Sequence, residues 1–253
     1  MSGFVVFARK EAREILRTWR IWVLPGILVF FALTGPLMAR FTPEIVAALA
    51  ADQLGGLQLP DPTYLDAYAQ WIKNLSGTAL FALIIVYGSI VSAESRSGTA
   101  VLVLTKPVSR TAFVVAKVAV HSAFLAILVV AGTLGTWGLT AAAFGQAPGS
   151  ALWSSALVCL ALGIFLIALM TFFSVVIRAA AGAAGAGLGA YALLSIAGVW
   201  EPLGRYSPAG LGAAASSIAA GRESAVLWPV LTSLLLAVGL VALAAGVFRR
   251  NEL

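Results

Sequence analysis

The chain has 253 residues, of which 61% are hydrophobic and only 10% charged, with a mean hydropathy of +1.00. A soluble domain is about 45–50% apolar and about 25% charged, so this composition belongs to an integral membrane protein and leaves no sizeable soluble domain. The single cysteine, Cys159, excludes an internal disulfide and a Cys-based metal site, and the net charge of +6 is spread along membrane-flanking segments rather than gathered into a nucleic-acid surface.

Residues 1–20 read as an amphipathic helix lying in the membrane interface. Arg9, Lys10, Arg13, Glu14, Arg17 and Arg20 recur at helical spacing, with Phe4, Ala8, Ala12, Ile15 and Trp19 on the other side. A basic face opposite an apolar one is attracted to anionic headgroups. A signal peptide is the rival reading, but the following apolar run exceeds an h-region of about 7–15 residues and lacks a small-x-small cleavage site.

Apolar runs then predict six spans, at 21–38, 75–93, 112–143, 151–177, 179–200 and 226–248. The fourth and fifth are parted only by Arg178. Fifty residues of helix would measure about 75 Å against a hydrocarbon core of about 30 Å, so the chain must turn. A charge at the bilayer centre is costly, which puts the turn at Arg178, in the headgroups. The third run is long, and places Lys117 and His121 in interfacial first turns with Lys117 snorkelling to the surface.

Residues 41–71 form one of two substantial connections. Thr42-Pro43 signals a helix start, and Gly55-Gly56 and Pro60-Asp61-Pro62 signal turns. Tyr64, Tyr68 and Trp71 then share one helical face, as an interfacial aromatic belt or, functionally, the lining of an outer vestibule. In the other connection, the small-residue stretch 209–221 is too short to span and reads as a helix dipping into the membrane or a surface loop.

Between the second and third spans lies ESRSGTAVLVLTKPVSR, residues 94–110. Its apolar run 100–104 is far too short to cross, so the segment rests at the membrane surface. Pro107 ends that piece, and Ser109 can cap the helix that begins near Thr111. With the N-terminus inside, twelve Lys/Arg lie on the inner side, against Arg40, Lys73, Arg205 and Arg222 outside. That bias puts both termini and residues 94–110 in the cytoplasm.

Several motifs fail on context. Gly185-Ala186-Gly187-Leu188-Gly189-Ala190 matches a dinucleotide fingerprint but sits inside a membrane helix. Gly182, Gly185 and Gly189 are better read as a helix-packing face, at a crowded or dimer interface. There is no G-x-x-x-x-G-K-[ST], hence no P-loop, and His121 lacks a partner constellation for base catalysis. All ten acids fall in loops or at span ends, whereas an ion-coupled carrier keeps an ionisable group at membrane depth. The residues thus indicate no enzyme, no metal site and an energy source outside the chain.

Glu94, Gly98-Thr99, the run Leu104-Thr105-Lys106-Pro107-Val108-Ser109-Arg110, and Lys117 resemble the signature of ABC-2 type permeases, the membrane subunits of ATP-binding-cassette transporters. The resemblance implies an all-α membrane protein with the ABC-2 exporter fold, six transmembrane helices and an N-terminal interfacial elbow, in the plasma (inner) membrane of a prokaryote. It implies that 94–110 is a coupling segment docking on a separate cytoplasmic ATPase. Two copies of that ATPase would bind ATP and magnesium, with no cofactor in this chain, and two permease chains would pair, as a homodimer or with a homologue. Glu94 would anchor the segment through N–H or arginine contacts, Gly98 permit its turn and Pro107 fix its exit. Lys106 and Arg110 would meet acids on the partner or lipid phosphates. Ser95-Arg96-Ser97 departs from the pattern, standing where acidic residues are common. A self-contained channel or secondary carrier is the alternative function.

Overall fold

The computed structural model describes residues 3–50, 60–97 and 109–250. Gly98, Thr99, Leu104, Lys106 and Pro107 lie outside the described residues, as do Gly55-Gly56. Among the described residues the chain is helical and without strands. An amphipathic helix, α1 (Gly3–Arg17), precedes α2 (Arg20–Ala50), which carries Pro25, Pro36 and Pro43 within it. The next crossing is composite: α3 (Tyr64–Asn74), a π-helical turn (Leu75–Ala79), α4 (Leu80–Tyr87) and α5 (Ser92–Arg96). Then come α6 (Arg110–Phe144), α7 (Gly149–Val176) and α8 (Ala180–Ala197). After them lie short α9 (Glu201–Tyr206), a 3-10 turn (Pro208–Gly210), α10 (Leu211–Ala219) and the last span, α11 (Leu227–Arg250). Six of these stretches are long and apolar enough to cross a membrane.

Local chemistry sets the ends. Asp66 accepts from the Thr63 N–H and hydroxyl at 2.7 and 2.9 Å, starting α3. Ser109 Oγ accepts from the Ala112 N–H at 3.1 Å, capping α6, which stops at Gly145 in the left-handed conformation (φ 71°). Exposed Arg178 sits in the short break between α7 and α8.

The central helix is α7, packed by α11, α10, α6, α4 and α8. Ala180 at the start of α8 lies against Gly88, and the Tyr191 hydroxyl donates to the Ser76 carbonyl, which the π turn leaves available. Thus α8 runs antiparallel to the second span and ends roughly 10 Å short of the level of Tyr64. The remaining height is filled by α9 and α10, with Leu211, Ala215 and Ala219 of α10 buried against α7 and α3. Residues 211–219 therefore form a helix within the bundle rather than a surface loop.

The second crossing begins at Tyr64, not near residue 75, because polar Gln70 and Lys73 interrupt its apolar pattern without breaking its helix. Tyr68 and Trp71 are consequently core residues. Both are fully buried, the Tyr68 hydroxyl donating to the Pro148 carbonyl at 3.2 Å and the Trp71 indole lying on Gly132. Tyr64 alone is part-exposed; it borders an open groove of about 880 Å³ with Pro148, Ser154 and Arg222.

A buried ion-pair ring at the terminal end

The amphipathic helix α1 and the last turn of α11 lie at one end of the bundle, and a charged cluster is buried there. Phe7, Glu11 and Ile15 recur every fourth residue and form the inward face of α1. Of the apolar side read from the sequence, Ala8 and Ile15 pack inwards while Phe4, Ala12 and Trp19 are exposed, so the apolar surface of α1 is wider than one face. Glu11 interrupts the inward stripe and is 1% exposed. Lys117, seven residues into α6, is fully buried rather than snorkelling.

Lys117 Nζ donates to Glu11 Oε2 at 2.9 Å and to Glu94 Oε1 at 2.6 Å. Lys10 Nζ donates to Glu11 Oε1 at 2.9 Å and to Glu94 Oε1 at 2.8 Å. Two carboxylates and two ammoniums thus alternate in a closed ring joining α1, α5 and α6. Glu14 extends it, 2.6 Å from Lys10 and 3.9 Å from Arg20. Taking charges out of water is repaid only by close, well-bonded partners, and the ring supplies them. Three carboxylates, Glu11, Glu14 and Glu94, come close enough to one another to suggest a metal site, but the Lys10 ammonium already lies against all three.

Aromatic rings close the site. Phe7 stacks on Phe113 at 4.8 Å and Phe113 on Phe248 of α11 at 5.2 Å, with Lys117 5.2 Å above the Phe113 ring. On the far side His121 Nδ1 lies 3.1 Å from the Tyr87 hydroxyl, while its Nε2 is 3.8 Å from Glu11, beyond hydrogen-bond reach. His121 is thus a packed histidine.

The ring sets the electrostatics of α1. Burial works against the Glu11 carboxylate, but the Lys117 and Lys10 ammoniums beside it outweigh that and hold its pKa well below the usual carboxylate range. Burial likewise works against the Lys10 ammonium, yet Glu14, Glu94 and Glu11 raise its pKa above the ordinary lysine value.

The ring also fixes one end of residues 94–110. Among the described residues Glu94 is held by the two lysines, and Ser174 Oγ of α7 accepts from the Val91 and Ser92 N–H groups just before it, both at 3.0 Å. At the other end, Arg110 donates to the carbonyls of Phe248 and Arg249 at 3.2 and 3.0 Å, capping the last turn of α11. Ser109, beside it, caps α6. Gly182, Gly185 and Gly189 lie exposed along one flank of α8. A Cβ at Gly185 or Gly189 would meet nothing, and one at Gly182 would meet only Ile177 and Ala179. The glycine that packs α8 is Gly187, where a Cβ would strike Met170 and Ile84.

Sequence reasoning missed Glu11 and the role of Lys117. One signal was present: Glu11 lies four residues from both Phe7 and Ile15, so it sits on an apolar stripe.

The profile of the family described as ABC-2 family transporter protein matches residues 5–204. No curated protein matches the sequence. A match of that extent places the chain in the ABC-2 family: it is a multi-pass permease subunit of an ATP-binding-cassette transporter.

Proposed function

From this membership we propose that the chain is the permease of an ATP-driven exporter, paired with a second permease chain and with two copies of a separate ATPase that binds ATP and magnesium. The terminal end faces the cytoplasm of a prokaryotic cell, and the outward glycine stripe of α8 meets the other permease. Residues 94–110 form the coupling segment. The observation that carries this reading is that both ends of the segment are clamped: Glu94 into the buried ring and Arg110 onto the end of α11. Hydrolysis in another subunit moves these helices only through a surface whose contacts differ between the ATPase states. A segment clamped at both ends passes such a displacement to α1, α6 and α11 together.

The experiment is to purify the permease with its ATPase and measure hydrolysis and efflux side by side in Glu94→Ala and Gly98→Val. Without Glu94, Lys117 keeps Glu11, and Lys10 keeps Glu11 and Glu14, so the bundle stays assembled. Hydrolysis should continue while efflux falls away. Wild-type efflux in both variants would reduce the segment to a plain loop. Orientation has its own check: in a Cys159→Ser background, Ser217→Cys should react with an impermeant thiol reagent in intact cells and Ser97→Cys should not.

A further inference from the structure

The fold sorts the charges of α1 by side. Lys10, Glu11 and Glu14 turn inwards and all take part in ion pairs. Arg9, Arg13 and Arg17 follow one another at four-residue intervals along the outer flank, all exposed, and among the described residues none has an ion-pair partner. A second exposed flank adjoins this basic stripe, made of Val5 (46% exposed) and Leu16 (66%) and continued by Trp19 (55%) in the turn that follows. Only Thr18 and Trp19 separate α1 from α2, whose apolar stretch Arg20–Val46 is a membrane span. The helix therefore cannot leave the bilayer surface.

These constraints fix the depth and roll of α1. The apolar flank gains by entering the acyl boundary, and the neighbouring arginines then stand at the level of the phosphates. Guanidinium groups bind phosphate through paired N–H donors, and three in a row favour a leaflet rich in anionic lipid. The apolar flank commits the stripe to lipid rather than to an acidic protein surface, which would leave Leu16 and Trp19 uncovered beside it. The inward face of the same helix carries Glu11, so a change in roll or depth is felt at Lys117 and, one bond further, at Glu94. A buried ring has little slack, since an unpaired charge there is costly.

We propose that α1 is an anionic-phospholipid sensor: Arg9, Arg13 and Arg17 bind lipid phosphates, and Glu11 and Lys117 pass that engagement to Glu94. The binding step does not depend on the ATPase reading and is tested without it. The full chain is reconstituted in nanodiscs of phosphatidylcholine alone or mixed with phosphatidylglycerol, and Tm and hydrogen exchange of Ser92–Arg96 are measured. Phosphatidylglycerol should raise Tm and slow exchange in Ser92–Arg96 of the wild type, with both effects shrinking in high salt. The triple variant Arg9→Gln, Arg13→Gln, Arg17→Gln should lose both effects while matching the wild type in phosphatidylcholine, and the triple Arg→Lys variant should keep part of each.

Equal behaviour of the wild type in the two lipids overturns the proposal. So does a triple Gln variant that still responds, which would move the anionic site to Arg178 or to Arg249 and Arg250. A Tm response without any change in Ser92–Arg96 exchange overturns the transmission through Glu11. A triple Gln variant that responds normally to lipid yet no longer co-purifies with an ATPase would assign the stripe to a protein partner.

Discussion

At the terminal end of the bundle, α1, α5, α6 and α11 meet through two carboxylates, two ammoniums and three stacked phenyl rings. At the opposite end, the end of α8, α9 and the 3-10 turn meet through bare backbone. A Cβ on Gly198 would strike the Ala209 carbonyl, one on Gly204 would lie 2.6 Å from the Gly198 carbonyl, and one on Gly210 would strike the Gly204 carbonyl. The first junction is made of long side chains, whose partners can be exchanged one at a time. The second is steric, and no side chain can rotate away to relieve it. The terminal end thus depends on each buried charge keeping a partner, and the opposite end on a backbone fit that no side chain can relieve.

The largest test of that contrast is at Gly210. Gly210→Ala puts a methyl group against a main-chain oxygen, so it should cost about 4 kcal/mol or more, in the range reserved for exceptional clashes. Thermal unfolding in detergent measures it. Gly212→Ala, with nothing within 4 Å of its Cβ, is the matched control and should leave Tm unchanged. If the two variants melt alike, the backbone crossing does not hold this end.

Next comes the ring. Lys117→Met takes one of the two ring ammoniums away from buried Glu11 and Glu94, and should cost about 3 kcal/mol. Adding Glu11→Gln should restore part of the loss, and a double-mutant cycle reads the coupling directly. Strict additivity would mean that the two groups do not interact.

A smaller effect separates packing within the chain from packing between chains. Gly187→Ala presses on Met170 and Ile84 and should lower the stability of the single chain by about 1–3 kcal/mol. Gly185→Leu should leave that stability within about 0.5 kcal/mol and instead weaken pairing of permease chains, read as the dimer fraction in crosslinking or native mass spectrometry. Normal dimers in Gly185→Leu would make the stripe a lipid-facing surface.

The smallest effect expected is that of pH. The Glu11 pKa is depressed in the folded protein, so its contribution is present above the unfolded carboxylate value and is lost only as pH falls through the lower folded value. The Lys10 pKa is raised, so its contribution is present below the unfolded lysine value and is lost as pH rises through the higher folded one. Between about pH 5 and 9 neither group titrates, and the melting temperature should stay flat if these two dominate α1. A marked drop inside that window, absent from Glu11→Gln, would show that the ring titrates there.

What the sequence settled by itself was whatever a run length or a local cap decides. An apolar stretch of about twenty residues must cross, fifty must turn, and the turn goes to the one charge available, Arg178. Ser109 beside Pro107 was legible as a cap because the bond it makes reaches only three residues along. Glu94, Gly98-Thr99 and residues 104–110 were legible as resembling the ABC-2 signature, and the family match bears out the class of protein they point to. Helical periodicity, by contrast, says which residues share a face and not what that face meets. Gly182, Gly185 and Gly189 share one flank and Gly187 lies on another, yet only the placement of Met170 and Ile84 makes Gly187 the packed one. Tyr68 and Trp71 look like a belt in the sequence and become core because Pro148 and Gly132 close over them. Glu11 and Lys117 stand 106 residues apart and became a pair only when α1 was laid across α6. A buried charge needs its counter-charge within about 4 Å, and that distance belongs to the fold.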